Sequence, residues 1–105
     1  MEISVFVSPP ASTTVLAQVR ALTGLGYLDI RGRITGTRPV LTARLFGNDH
    51  EEVAATLRRL LALPAPTGVW CEEVDEDGGR PIEREAVLSI LDEHERLLRR
   101  YLEPE

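Results

Sequence analysis

Residues 27–46 of the chain read YLDIRGRITGTRPVLTARLF. In the first part of this stretch apolar and polar side chains alternate, which is typical of a strand with one buried side. The residues on the apolar side are Leu28, Ile30 and Ile34. The second part, residues 40–46, alternates in the same way, and residues 35–39 between the two parts favour a turn. The stretch therefore predicts two strands joined by a short connection, which is an antiparallel hairpin.

The residues before this hairpin indicate a strand followed by a helix. Residues 3–7 alternate with period two almost from the start of the chain, and the prolines after them end the strand. Ser12 or Thr13 can cap a helix over residues 13–22, whose apolar residues recur at helical spacing. A glycine at position 24 is typical of the end of such a helix.

The residues after the hairpin indicate a second helix and a fourth strand. Asp49 with Glu52 three residues later matches a capping box at a helix start. Residues 69–74 then predict a strand, and the acidic, glycine-containing run 75–79 predicts an exposed turn.

A long helix is predicted at the end of the chain, from Ile82 to Leu102, with Pro81 suited to its first turn. Its apolar side recurs at alternating four- and three-residue steps, the spacing of one helix packed against another. The residues of this seam are Val87, Leu91, His94, Leu98 and Tyr101. A seam of this kind needs a partner surface, which is either the chain's own sheet or another chain.

The order of these elements predicts an α+β fold, the ferredoxin-like βαββαβ plait with an extra long C-terminal helix. We expect a single domain over residues 1–105, with a plait core at 1–79 and the amphipathic helix at 80–105. Right-handed crossovers would place the first two helices on one face of the sheet and leave the other face open. The last helix is then a candidate to cover the open face.

Composition narrows the classes of partner. The chain has 105 residues and a formal net charge of −5, so we expect no nucleic-acid partner and no membrane partner, because both require a dominant cationic surface. All 12 basic residues are arginine, which is typical of a GC-rich bacterial genome or, with so few Asn, Gln, Cys and Met residues, of a heat-adapted protein. One cysteine and no secretory signal predict a soluble, cytoplasmic protein.

Three stretches carry a resemblance to known regulatory domains. They are residues 32–36 leading into 40–46, the acidic helix start 48–52, and Leu63-Pro64 shortly before Gly68-Val69. In this order they resemble the ACT domains and the effector-binding domains of Lrp/AsnC-type regulators. The resemblance implies a plait that binds amino acids or similar metabolites between paired subunits.

Five polar residues are candidates for ligand binding. Ser12 and Thr13 lie at a predicted helix N-terminus, which attracts anions such as phosphate, although ordinary capping explains the same residues. Arg31, Arg33 and Arg44 share the polar face of the predicted hairpin and could bind an anionic metabolite or an acidic partner. The acidic residues of the last helix are an alternative partner for that face.

Four further features have simpler explanations than a reactive site. His50 lies in an acidic helix start without a second histidine or a cysteine nearby in the sequence, so we predict no metal site there. His94 on the seam is expected to be a core or interface histidine, with pH sensing as the alternative. Cys71 is predicted to be an unreactive cysteine within a strand. Residues 75–79 lack the spacing of a calcium-binding loop.

No combination of residues predicts catalysis or a cofactor. We therefore expect a non-catalytic regulatory or interaction module, dimeric through the last helix or the open sheet face, with a small anionic metabolite as its candidate ligand. A small ferredoxin-fold enzyme using arginine and histidine in a cleft, and an accessory subunit of a larger complex, are the alternatives.

Overall fold

The computed structural model describes residues 1–64 and 66–102, except for the side chain of Leu102. The elements in chain order are β1 (Glu2–Ser8), α1 (Thr13–Thr23), α2 (Tyr27–Thr35), β2 (Leu41–Arg44), α3 (His50–Leu61), β3 (Gly68–Asp75), β4 (Gly78–Ile82) and α4 (Arg84–Leu102). The strands form one antiparallel sheet in the order β2-β1-β3-β4.

The centre of the sheet is β1, which pairs antiparallel with β2 on one side and with β3 on the other. Since both neighbours run opposite to β1, they run parallel to each other, and α3 connects them. This arrangement is a split βαβ unit with β1 inserted between its two strands. The predicted strands at residues 3–7, 40–46 and 69–74 are confirmed as β1, β2 and β3, with shorter or longer bounds.

The predicted strand at residues 27–34 is wrong, because these residues form α2. Ile30 and Ile34 lie four residues apart and are both buried, while Leu28 is 85% exposed. Asp29 and Arg33 form an ion pair of 2.9 Å at the i,i+4 spacing of a helix. The alternation that predicted a strand therefore also fits one buried side of a helix, and the predicted hairpin does not form.

A second correction concerns the start of the last helix. Residues 78–82 form the edge strand β4, so Pro81 lies in a strand and not in the first helical turn. Asp75 and Gly78 are paired across the turn, with the Asp77 amide donating to Asp75 Oδ1 at 2.8 Å. Pro81 is tolerated there because an edge strand has no outer neighbour that needs its N–H.

The core lies between one face of the sheet and the helices. A single buried cluster joins Ile3, Val5 and Val7 of β1 to buried residues of all four helices, including Val87 and Leu91 of α4. The last helix therefore packs beside α3 in the helical layer. It does not cover the opposite face of the sheet, as we had expected it to.

The outer face of the sheet carries an aromatic pair. Phe6 is buried but lies outside the core cluster, and its ring stacks on Trp70 with centroids 3.9 Å apart. On the same face Ser4 and Thr42 share a hydrogen bond of 2.9 Å between their hydroxyls. The outer face of the sheet thus carries short polar side chains and one aromatic stack.

The α+β class is confirmed, with a four-stranded antiparallel sheet and four helices among the described residues. The ferredoxin-like plait is not confirmed. A helix, α2, takes the place of the second plait strand, and the fourth strand of the sheet, β4, extends across the boundary predicted between residues 79 and 80.

Candidate functional site

The last helix has a docked part and a projecting part. It runs antiparallel to α3, because Arg84 Nη1 donates to the carbonyl of Leu61 at the end of α3, whereas His94 contacts His50 at its start. Past His94 the helix continues beyond α3. The exposed fractions there are 44% for Leu97, 42% for Leu98 and 87% for Tyr101.

The five predicted interface residues are divided between these two parts. Val87 and Leu91 are fully buried in the chain's own core, and His94 is half-buried against α3. Leu98 and Tyr101 lie on the projecting part. The first part of the seam therefore packs on the chain's own domain, whereas its second part is exposed.

The two histidines of the chain meet where α4 leaves α3. Their ring centroids lie 4.3 Å apart in an edge-on arrangement, and the ring of Phe46 lies 5.3 Å from His50 and 4.7 Å from His94. We call Phe46, His50 and His94 the histidine cluster. The two histidines lie far apart in the sequence and were predicted separately, and only the antiparallel packing of α3 and α4 brings them together.

A hydrogen bond from a backbone amide determines which ring nitrogen of His50 carries the proton. The Phe46 amide donates to His50 Nδ1 at 3.0 Å, so neutral His50 must carry its single ring proton on Nε2. Phe46 itself has φ of 66°, in the left-handed region that bulky residues rarely adopt and that costs about 1–3 kcal/mol. Asp49 makes no side-chain capping bond to α3, so the capping box predicted there does not form. The hydrogen bond from the Phe46 amide to His50 lies at this end of the helix instead.

The charge state of His50 follows from the same surroundings. Burial lowers the pKa of His50 from its ordinary value of 6.5, and the neighbouring His94 lowers it further. Glu95, Asp49 and Glu51 act in the opposite direction without reversing the shift. Protonation would also place a hydrogen on Nδ1, where it would oppose the Phe46 amide, so this site favours a neutral imidazole.

A groove of about 320 Å³ lies between α3 and α4 beside the histidine cluster. Its lining residues are His50, Glu51, Ala54, Ala55, Arg58, Glu95, Leu98 and Arg99. Arg58 joins the two helices by ion pairs of 2.8 Å to Asp92 and 3.4 Å to Glu95. Two buried polar side-chain atoms in the described part of the chain have no hydrogen-bond partner, His50 Nε2 and Arg58 Nη2, and both residues line this groove.

The predicted ligand residues lie on different elements. Ser12 caps α1, with its hydroxyl accepting from the Val15 amide at 3.2 Å, and Thr13 is the exposed first residue of that helix. Arg31 and Arg33 lie on α2, where Arg33 is occupied by Asp29 and by the Pro39 carbonyl.

The shared polar face that we predicted for the arginines is absent, because it depended on the hairpin. Arg44 lies on β2 opposite Glu2 of β1. The acidic residues Asp92 and Glu95 of α4 contact Arg58 of α3 and not the three predicted arginines. Ligand binding by these residues stays a prediction.

Other reactive side chains have ordinary surroundings. Burial raises the pKa of the Cys71 thiol to about 11, so the thiolate that nucleophilic chemistry needs is scarce at neutral pH. Within residues 1–64 and 66–102, no group of three or more His, Cys, Asp or Glu side chains is placed to hold a metal ion. At His50 a metal would also need a free Nε2 lone pair, which the Nε2–H form does not offer.

Among residues 1–64 and 66–102, no helix is long and apolar enough to span a bilayer.

Sequence reasoning missed the two residues that complete the site. Phe46 was predicted as a strand end, and Arg58 was not singled out. A signal for Arg58 exists, because it lies on the same side of α3 as His50 and Ala54 at four-residue spacing. No sequence signal indicates that the Phe46 amide faces His50.

Comparison of the chain with protein-family models, with curated proteins and with solved structures found no match. The resemblance to ACT and Lrp/AsnC-type domains therefore stays a prediction. The candidate site is defined by its geometry alone.

Proposed function

We propose that the chain is a non-catalytic interaction module that forms a homodimer through the projecting end of α4. The observation that carries the proposal is the change in exposure along one helix. Leu91 is fully buried, whereas Leu98 and Tyr101, two and three turns further along the same stripe, face solvent. Apolar side chains grouped on a projecting helix are typical of a protein interface.

The charges of α4 favour a second copy as the partner. All charged residues from Glu85 to Glu95 are acidic, and all those from Arg96 to Arg100 are basic. Two α4 helices side by side and antiparallel would bring the basic end of each against the acidic middle of the other. A parallel pair would instead place like charges together, so the complementarity indicates an antiparallel, two-fold interface.

The alternative of a small enzyme requires a histidine that faces an acid or an arginine in a cleft. His50 does line a groove with Arg58 and Glu95. However, its Nδ1 is occupied by the Phe46 amide and its Nε2 carries the proton, so neutral His50 cannot accept a proton as a general base. This favours the interaction module.

Sedimentation equilibrium at roughly micromolar to millimolar concentrations tests the dimer. Two helix ends bury less than the roughly 1,600 Å² of a standard interface, so we expect a dimer that dissociates on dilution and weakens with added salt. The double variant Leu97→Ser with Tyr101→Ser should remain monomeric throughout this range.

The matched control is Leu28→Ser on α2, since Leu28 is 85% exposed and Tyr101 is 87% exposed. This control should dimerise like the parent chain. A parent chain that is monomeric at millimolar concentration would exclude the proposal. Equal loss of dimer in the control and in the α4 variant would show that the interface lies elsewhere.

A further inference from the structure

One buried donor among the described residues, His50 Nε2, has no hydrogen-bond acceptor, and His50 lines the interhelical groove. His50 as a whole is only 8% exposed, whereas the other buried nitrogen of the groove, Arg58 Nη2, already lies 3.4 Å from a carboxylate oxygen of Glu95. Because a buried N–H without an acceptor destabilises the fold, an acceptor that enters the groove recovers a stabilising interaction. We propose that the groove between α3 and α4 is a binding site for a small, uncharged, mainly apolar ligand that carries a carbonyl oxygen.

The size and lining of the groove fit this class of ligand. About 320 Å³ is ample for one ring and a short substituent, because an apolar cavity of roughly 150 Å³ already holds benzene. Ala54, Ala55 and Leu98 supply apolar surface. Small-molecule sites are typically apolar with a few polar groups that orient the ligand, and here the orienting group is the Nε2–H of His50.

The charges around the groove argue for an uncharged ligand. The charged residues that line the groove are two acidic, Glu51 and Glu95, and two basic, Arg58 and Arg99, so the lining carries no net charge. Arg58 is moreover already engaged by carboxylates, that of Asp92 at 2.8 Å and that of Glu95 at 3.4 Å. Neither a carboxylate nor an ammonium group would therefore gain a net attraction, whereas a carbonyl oxygen accepts a hydrogen bond without adding charge.

Four ligands with the same ring test the proposal: benzamide, benzoate, benzylamine and toluene. The readout is NMR of the methyl groups of Ala54, Ala55 and Leu98 and of the His50 ring nitrogens. We expect benzamide to shift these resonances saturably and to bind about tenfold more tightly than toluene, which lacks the acceptor. Benzoate and benzylamine should bind more weakly than benzamide.

A pair of variants isolates the His50 proton. In His50→Asn the side-chain oxygen can still accept from the Phe46 amide, but the donor at Nε2 is lost, so the preference for benzamide over toluene should disappear. His50→Gln, which keeps an N–H near Nε2, should retain part of it. If His50→Asn does not fold, Leu98→Trp on the exposed side of the groove serves instead, and it should block all four ligands.

Three results would overturn the proposal. The first is an absence of shifts in groove resonances up to the solubility limit of benzamide. The second is tighter binding of benzoate or benzylamine than of benzamide, and the third is a folded His50→Asn variant with an unchanged preference for benzamide. The lining residues all belong to one chain, but Leu98 also belongs to the proposed dimer surface. The ligands are therefore also tested on the double variant Leu97→Ser with Tyr101→Ser, in which binding should persist without the dimer.

Discussion

The two parts of α4 share one amphipathic stripe but have different surroundings. In the first part Val87 and Leu91 are fully buried against the sheet and α3. In the second part Leu98 and Tyr101 continue the stripe into solvent. A regular apolar spacing therefore predicts a helix with one apolar side. How much of that side is buried within the domain depends on where the neighbouring helix, α3, ends.

The largest expected effect is in the docked part. Leu91→Ala removes a fully buried side chain and leaves a cavity, so we expect the free energy of unfolding to fall by about 2–5 kcal/mol. Leu98→Ala, the same substitution in the projecting part, should cost less than about 1 kcal/mol. Urea denaturation measures both, and equal losses would contradict the division of α4 into two parts.

A smaller effect is expected from pH at the junction between the two parts. Because the folded state lowers the pKa of His50 below 6.5, the unfolded chain binds more protons in this range. Stability that is present above pH 6.5 should therefore be lost as the pH falls through 6.5 to the folded pKa. Thermal unfolding between pH 8 and 5 measures this loss.

The charged groups around His50 have to be separated from it in that experiment. They are Asp49, Glu51 and Arg58 on the α3 side and His94, Glu95 and Arg99 on α4. His50→Asn keeps all of them and removes only the titrating ring, so it should flatten the loss of stability below pH 6.5. An unchanged profile in this variant would assign the effect to another group.

The ion pairs across α3 and α4 should contribute less again. Arg58→Gln removes the contacts to Asp92 and Glu95, and partly exposed pairs of this kind contribute about 0.2–1 kcal/mol each. We expect a loss in this range at low salt that shrinks as salt is added. A loss that does not depend on salt would indicate packing of the arginine stem instead.

The smallest expected effect on stability is in the projecting part. Tyr101→Ser changes a side chain that is 87% exposed, so the free energy of unfolding of dilute protein should stay within about 0.5 kcal/mol. Only self-association should change. A large loss in dilute solution would show that Tyr101 packs on its own domain.

The sequence predicted the elements that have a single consistent pattern. Residues 3–7 alternate with period two and form the buried strand β1. Residues 69–74 were found as β3, although only Cys71 of that segment is fully buried, and both helices with a strong apolar stripe, α3 and α4, were found. The segment 27–34 failed because Ile30 and Ile34 suit either a strand or a helix, and the i,i+4 pair of Asp29 and Arg33 was the signal that favours the helix. Tertiary packing decided between them.

The rest could not be predicted from local pattern. Residues 78–82 contain two glycines and a proline, which disfavour a strand, so β4 depends on its tight turn and on pairing with β3. The site is harder still, because His50 and His94 meet only when α3 and α4 pack antiparallel. The tautomer of His50 depends on one amide, that of Phe46, in a left-handed conformation.

The aromatic stack on the outer face of the sheet provides a built-in optical reporter. Trp70 is the only tryptophan, and it lies on Phe6 on the side of the sheet away from the helices. Its fluorescence should therefore follow the integrity of β1 and β3 and remain constant when α4 dimerises or detaches. Emission from Trp70 and helical circular dichroism, recorded together, would distinguish release of the last helix from unfolding of the domain in the unmodified protein.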